Sequence, residues 1–221
     1  MNGVGLMNET PSERTLASPN TIVSSYFDFA RQTADQLRHP TPLTDVQLQV
    51  AVALIMLVGA VEAYLNIAGR MWIEQVPGFA HAEQIRQDLA QRRSFMRKLK
   101  TWPELLFGKP LDLSAGKMQA FLGLVERRNS LLHFTTTHES AGYENVRIHG
   151  LADISFYASL KPEDLFAAID TAEDAIGELI RQQGGLNEER VLVAKTYWSG
   201  RPVFPDELER ARKVDSGSDA A

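Results

Sequence analysis

Apolar residues recur every three or four positions along most of the chain, which is the spacing of one face of an α-helix. The first such stretch covers residues 21–39 and predicts an N-terminal helix. A second stretch follows Thr44 and Asp45, which are good N-cap residues, and continues to about Ile73. Because this second helix is apolar on nearly every side, we expect it to be the central and most buried element.

Three further helices are predicted after the second. The third covers residues 80–106, with Pro103 marking its end or a kink. The fourth begins at Ser114, which can cap it, and ends at His133. The fifth begins at Pro162, a favoured residue for a first helical turn, and ends before a pair of glycines. The pattern therefore predicts an all-α fold, an up-and-down bundle of four main helices plus the N-terminal helix.

The remaining segments have weaker patterns. Between the fourth and fifth helices, the pieces VRIHG and ISFYA fit short strands as well as irregular loop, and both alternatives stay open. Residues 1–19 are expected to form a flexible lead-in, and residues 20–185 the helical bundle. Residues 186–221 contain enough apolar groups to dock on the bundle, possess a segment that can form a last helical turn, and should end in a disordered tail.

Composition limits the classes of function. The 221 residues, 44% of them apolar, suffice for one core, and the absence of cysteine excludes disulfide frameworks, cysteine zinc sites and thiol catalysis. The five histidines show no metal-binding spacing, so we expect neither a metal nor another cofactor. The most apolar run, residues 50–61, is shorter than the roughly 20 residues of a membrane span. We therefore expect a cytoplasmic protein without a membrane partner.

Charge is unevenly distributed along the chain. The net charge of -5 gives no overall attraction to nucleic acid, but residues 81–133 carry 10 basic and 5 acidic groups. In the predicted third helix, Arg93 and Arg97 are one turn apart. Such a cluster fits a solvated helix face, and it equally fits a surface along which RNA phosphates lie.

The fourth helix places polar residues among its apolar positions. With about 100° per residue and Met118 at 0°, the apolar stripe covers about 300° to 40° and contains Asn129. Arg128 and His133 flank the stripe, whereas Arg127 falls on the opposite, solvated side. Buried polar groups are nearly always paired or exposed to a cleft. This arrangement therefore predicts either a structural ion pair or a functional site in a groove.

The structural alternative is an ion pair between helices. Glu62 is the acid in the middle of the second helix and is a candidate partner for Arg128. In the functional alternative, Arg128 and His133 line a groove. Arginine suits a phosphate, and histidine exchanges protons near neutral pH. The two residues start about 7.5 Å apart along the helix axis and could converge on one phosphate, where no metal or cofactor would be needed.

The motif R-N-x-x-x-H, from Arg128 to His133, at the end of a helix resembles the R-x(4 to 6)-H signature of bacterial HEPN (higher eukaryotes and prokaryotes nucleotide-binding) domains. The stretch LVGAVEAYLN, which contains Glu62, is similar to the apolar helix with an E-A-Y/F-L core in many members. The resemblance covers about residues 20–185. Members neutralised by nucleotidylation carry a tyrosine where this chain has Thr135, so that form of control is not implied.

The resemblance implies a metal-independent endoribonuclease of toxin or phage-defence type that acts as a homodimer. Arg128 and His133 would be the active pair, Asn129 would orient the phosphate or the imidazole, and Glu62 would hold Arg128. RNA phosphates would lie against a basic surface, and an antitoxin or another partner protein is a further expectation. The residues expected on that surface are Arg127, Arg93 and Arg97. A different class of function is a catalytically inactive helical module that binds a nucleotide, RNA or a protein.

Overall fold

The computed structural model describes residues 17–40, 45–114, 116–132, 139–143, 146–151 and 154–218. Within these ranges lie nine helices and one two-stranded hairpin. They are α1 (Thr21–Leu37), α2 (Val46–Gln75), α3 (Ala82–Ala90), α4 (Phe95–Phe107), α5 (Gly116–Leu132), β1 (Glu139–Tyr143), β2 (Val146–Leu151), α6 (Ser155–Ala158), α7 (Pro162–Gln182), α8 (Glu188–Ser199) and α9 (Pro205–Ser218).

Helix α2 lies at the centre of the fold, as its all-round apolar sequence predicted. The Asp45 carboxylate caps it by accepting a hydrogen bond of 2.9 Å from the backbone N–H of Leu48. The helix packs against α1, α5 and α7. By length and composition alone α2 could cross a membrane, but 56% of its most apolar 18-residue stretch is buried inside the bundle. A core helix of a soluble protein has this character.

Helices α2, α5 and α7 form the part of the bundle that carries the site. Tyr157, before the start of α7, donates a hydrogen bond to Asp45, before the start of α2. Gln183, after the end of α7, donates a hydrogen bond to Tyr64, further along α2, so the two helices run parallel. Helix α5 runs antiparallel to α7, because its first turn contacts Asp174 and its last turns contact Asp164. The end of α5 that carries the motif therefore lies beside the beginning of α7.

The single third helix predicted over residues 80–106 is wrong. The chain forms α3 and α4 with a break between them, where Arg92 adopts a left-handed conformation with φ of 49°. Asp88 stabilises the break, since its backbone carbonyl accepts from Arg93 N–H at 3.0 Å and its carboxylate accepts from Trp102 Nε1 at 3.1 Å. Pro103 neither ends nor interrupts α4, which continues to Phe107.

The set of main helices also differs from the prediction. The four long helices are α1, α2, α5 and α7, and the short helices α3 and α4 pack on α2. The C-terminal segment does dock on the body, through α8 against α1 and α7. It is more helical than expected, because α9 extends to Ser218 into the sequence for which a disordered tail was predicted. Arg201 joins this segment to the bundle by ion pairs of 2.8 Å to Glu173 and to Glu207.

The chain between α5 and α7 contains both regular and irregular parts. Strands β1 and β2 pair antiparallel as a hairpin, so the VRIHG piece is a strand. The ISFYA piece is neither strand nor loop, because α6 forms a single helical turn there.

Candidate functional site

The core-facing side of α5 is turned relative to the predicted stripe. Its buried residues are Met118, Phe121, Leu124, Val125 and Leu131. With Met118 at 0°, their mean direction is about 290°, so Arg128 at about 280° lies at the centre of this side and Asn129 at its edge. Leu132, which was expected to face the core, is 46% exposed. The difference arises because α7 packs along one flank of α5 and draws Leu124 and Leu131 into the core.

Arg128 is half-buried, and its buried Nε–H has no hydrogen-bond partner among the residues that the structure describes. Within the described part of the chain, no carboxylate forms an ion pair with it. A buried donor without an acceptor lowers stability by about 1 to 3 kcal/mol, and by more when the group is charged. The guanidinium is therefore a charged group whose hydrogen-bonding capacity the described residues do not satisfy.

His133 lies outside the described residues. Its distance from Arg128, and with it the convergence of the two side chains, stays a prediction.

Asn129 contributes to a groove between α4 and α5 with a volume of about 490 Å³. The groove is lined by Met96, Lys100, Leu113, Ser114, Leu122, Val125, Glu126 and Asn129. None of the described residues hydrogen-bonds the Asn129 side chain. Because consecutive residues on a helix are about 100° apart, Asn129 points towards α4 while Arg128 points into the bundle. The wheel already separated the two residues, since it placed Asn129 within the apolar stripe and Arg128 on its flank.

Glu62 does not hold Arg128. Its carboxylate lies 4.0 Å from Nζ of Lys98 on α4. Lys98 is only 4% exposed, and its ammonium donates to Asn66 Oδ1 at 2.9 Å and lies 5.6 Å from the Trp102 ring centroid. Glu62 and Asn66 are one turn apart on α2 and face α4, so the predicted structural ion pair exists with a different cation.

The buried lysine was missed in the sequence, although a signal for it was present. Lys98 occupies the same helical face as the buried residues Phe95 and Trp102, which are three and four positions away, and it directly precedes the buried Leu99. A cation at such a position requires a polar partner from a neighbouring helix. The E-A-Y-L-N stretch of α2 supplies that partner, which gives Glu62 and Asn66 a structural explanation.

Arg127 is partly exposed, with 38% of its side chain accessible, but it also forms an ion pair that the wheel did not predict. Its guanidinium donates to Asp164 Oδ1 on α7 at 2.6 Å and lies 5.8 Å from the Phe156 ring centroid. Burial raises the pKa of Asp164, but hydrogen bonds from Arg127 and from the backbone N–H of Lys161, together with both positive charges, bring this pKa below its ordinary value. Arg127 therefore joins α5 to α7 and is not free to bind RNA phosphate without breaking this ion pair.

The expected basic surface is only partly present. Arg93 lies in the break before α4, and its Nε is 3.8 Å from the Asp88 carboxylate, so it does not share a helical face with Arg97. Arg97 and Lys100 are exposed on α4, one turn apart, and neither pairs with a described carboxylate. These two residues are the available cations near the groove.

Comparison of the chain with known protein families, with curated proteins and with solved structures finds no match. The resemblance to HEPN domains therefore stays a prediction from the sequence.

Proposed function

We propose that the protein is a metal-independent cytoplasmic endoribonuclease of toxin or phage-defence type, with Arg128 and His133 as its active pair. One observation carries the proposal. The Arg128 guanidinium lies at the centre of the core-facing side of α5, and none of the described residues accepts a hydrogen bond from its buried Nε–H. A phosphate is the ligand that satisfies such a donor most fully, since its oxygens accept two parallel N–H bonds from a guanidinium.

The contrast with neighbouring arginines supports the proposal. Arg127 and Arg201 are both paired with carboxylates at 2.6 to 2.8 Å. Arg128 has no such partner among the described residues, although its Nε–H is buried. Groups that are retained at an energetic cost without a structural partner are typical of functional sites.

The proposed reaction needs only side chains of the chain itself. His133 takes the proton of a ribose 2′-hydroxyl, and the 2′-oxygen attacks the adjacent phosphorus. The bond from phosphorus to the 5′-oxygen breaks, and that oxygen takes a proton from water and leaves as a 5′-hydroxyl, while His133 returns its extra proton to solvent. The other product has a 2′,3′-cyclic phosphate end. Arg128 stabilises the negative charge that develops on the phosphoryl oxygens.

The proposal includes a homodimer and control by an antitoxin or another partner protein. An apolar surface supports self-association, because Ile22 and Phe29 lie seven residues apart on one side of α1 and are both exposed. Leu48 at the start of α2 is exposed as well.

The alternative is a catalytically inactive HEPN-like module that binds a nucleotide, RNA or a protein partner. A specific observation favours it: Asn129 points into the groove beside α4, about 100° around the helix from Arg128, so the motif residues do not all face one point. Binding without cleavage would agree with this arrangement.

Induced expression in bacteria tests the proposal. We expect growth arrest together with cellular RNA that carries 2′,3′-cyclic phosphate ends, and we expect both effects to vanish with Arg128→Ala and with His133→Ala. The control is Lys109→Ala, an exposed lysine outside the groove, which should arrest growth like the wild type. Normal growth and intact RNA with the wild-type protein would favour the inactive module.

A further inference from the structure

The groove between α4 and α5 has the features of a binding site for one flat, polar-edged molecule. Its volume of about 490 Å³ lies in the range of small-ligand sites. Its apolar lining comes from both helices and from the loop between them. The residues are Met96, Leu113, Leu122 and Val125. Polar groups surround this apolar floor, so the groove can hold an aromatic ring face and leave the ring's edge available for hydrogen bonds.

We propose that this groove binds one base of the RNA and prefers bases with an exocyclic amino group over uracil. The inference rests on the proposed function, because it assigns the substrate's base to a place beside the proposed active pair. It adds a specificity site that the motif itself does not contain.

The preference follows from two side chains of α5. Asn129 and Glu126 are one turn apart and both line the groove. The Asn129 amide offers one donor and one acceptor, which matches a base edge that carries both, as adenine does. The Glu126 carboxylate accepts only, as it would from the amino group of cytosine. Uracil has no exocyclic amino group, and it carries a carbonyl oxygen, O4, where cytosine has its amino group, so this oxygen would face the carboxylate unfavourably.

The charges around the groove agree with a nucleotide. Lys100 lines it, and Arg97 is one turn away on α4, both exposed and without a described carboxylate partner. Phosphates on either side of the bound base could contact these cations. The different directions of Asn129 and Arg128 also agree with a bound nucleotide. An RNA strand that crosses α5 can place one base in the groove and the next phosphate at Arg128.

The test uses three fluorescent 2′-O-methyl hexamers, of adenosine, cytidine and uridine, with binding followed by anisotropy. The 2′-O-methyl group removes the attacking hydroxyl, so binding is measured independently of cleavage. We expect the adenosine and cytidine hexamers to bind about tenfold more tightly than the uridine hexamer. Asn129→Ala should reduce the preference for adenosine, and Glu126→Gln the preference for cytidine.

Two lysine variants separate base contacts from phosphate contacts. Lys100→Ala should weaken all three hexamers by a similar factor and reduce the salt dependence of binding. Lys109→Ala, outside the groove, should bind them like the wild type.

Equal affinity for the three hexamers, no binding of any of them, or an unchanged preference in both Asn129→Ala and Glu126→Gln would overturn the base assignment. Cleavage of ordinary RNA tells the two proposals apart. If RNA is cleaved but the hexamers bind without preference, the groove proposal fails and the nuclease proposal stands. If the hexamers bind with the expected preference but RNA stays intact, the groove proposal stands as the site of an RNA-binding module.

Discussion

The Arg127 guanidinium and the Asp164 carboxylate form an ion pair of 2.6 Å that joins α5 to α7. The next residue, Arg128, points about 100° away, and its buried Nε–H has no hydrogen-bond partner in the described part of the chain. Two adjacent arginines therefore differ in their physical situation. The first is satisfied by the fold, and the second retains the capacity to bind an anion.

Arg127→Ala should lower the free energy of unfolding at pH 7 by about 1 kcal/mol or less, because the ion pair is part-exposed and screened by solvent. Urea denaturation of wild type and variant measures the difference. A loss above about 3 kcal/mol would mean that the pair behaves as a fully buried one.

The effect of Arg127→Ala should depend on pH. Because the pKa of Asp164 is lowered in the folded protein, the stability it contributes is present above its unfolded pKa of about 3.9 and is lost as the pH falls through the folded pKa. The difference between wild type and variant should therefore be constant from about pH 5 to pH 8 and shrink below about pH 4. A difference that grows as the pH falls would contradict this sign.

Arg128→Met should leave the free energy of unfolding unchanged or raise it by about 1 kcal/mol, because methionine keeps much of the aliphatic stem and removes the unsatisfied donor. Denaturant titration checks this, with Arg127→Ala as the variant that moves stability in the opposite direction. If Arg128→Met destabilises the protein by more than about 1 kcal/mol, the guanidinium has a stabilising partner.

Lys98→Ala should destabilise the protein by about 3 kcal/mol, because it leaves Glu62 and Asn66 without their partner and opens a cavity beside Trp102. Lys100→Ala on the same helix is the matched control, and it should change the free energy of unfolding by less than about 0.5 kcal/mol since Lys100 is exposed. Thermal unfolding followed by circular dichroism measures both. Equal melting temperatures for the two variants would show that the buried contacts of Lys98 contribute little.

Replacing either of two glycines with alanine should change the free energy of unfolding in opposite directions. A Cβ added at Gly69 would lie 2.7 Å from Cζ3 of the buried Trp102, whose indole N–H is held by Asp88, so Gly69→Ala should destabilise by about 2 kcal/mol. A Cβ at Gly123 would meet nothing within 4 Å, so Gly123→Ala should stabilise α5 by about 0.5 to 1 kcal/mol. The midpoints of urea unfolding should move in opposite directions, and a shift of both in one direction would be inconsistent with this packing.

The sequence predicted the elements whose signals are local. Periodic apolar residues and the Asp45 cap define α1, α2 and α7 to within a few residues, and the central position of α2 follows from its apolar composition. The break between α3 and α4 was missed because neither glycine nor proline occurs there, although the polar run at residues 91–94 interrupts the apolar period. It depends on a tertiary contact, the hydrogen bond from Trp102 to Asp88.

The sequence predicted which residues belong to the candidate site, but it only partly predicted how they are arranged in space. The orientation of α5 depends on how α7 packs against it, so the wheel placed Arg128 at the flank and Asn129 within the stripe, the reverse of their observed places. For the same reason the partner of Glu62 could not be assigned. The sequence offers several lysines and arginines that could pair with Glu62. Only the packing of α4 against α2 determines that its partner is Lys98.

The central claim, that Arg128 is free to act on RNA phosphate, is tested most directly by single-turnover cleavage of end-labelled single-stranded RNA by purified protein in excess EDTA. We predict 2′,3′-cyclic phosphate products from the wild type and a similar rate from Arg127→Ala. For Arg128→Met, which we expect to fold like the wild type, we predict a rate at least about a hundredfold lower. Undiminished cleavage by Arg128→Met, or intact RNA after incubation with the wild-type protein, would contradict the claim.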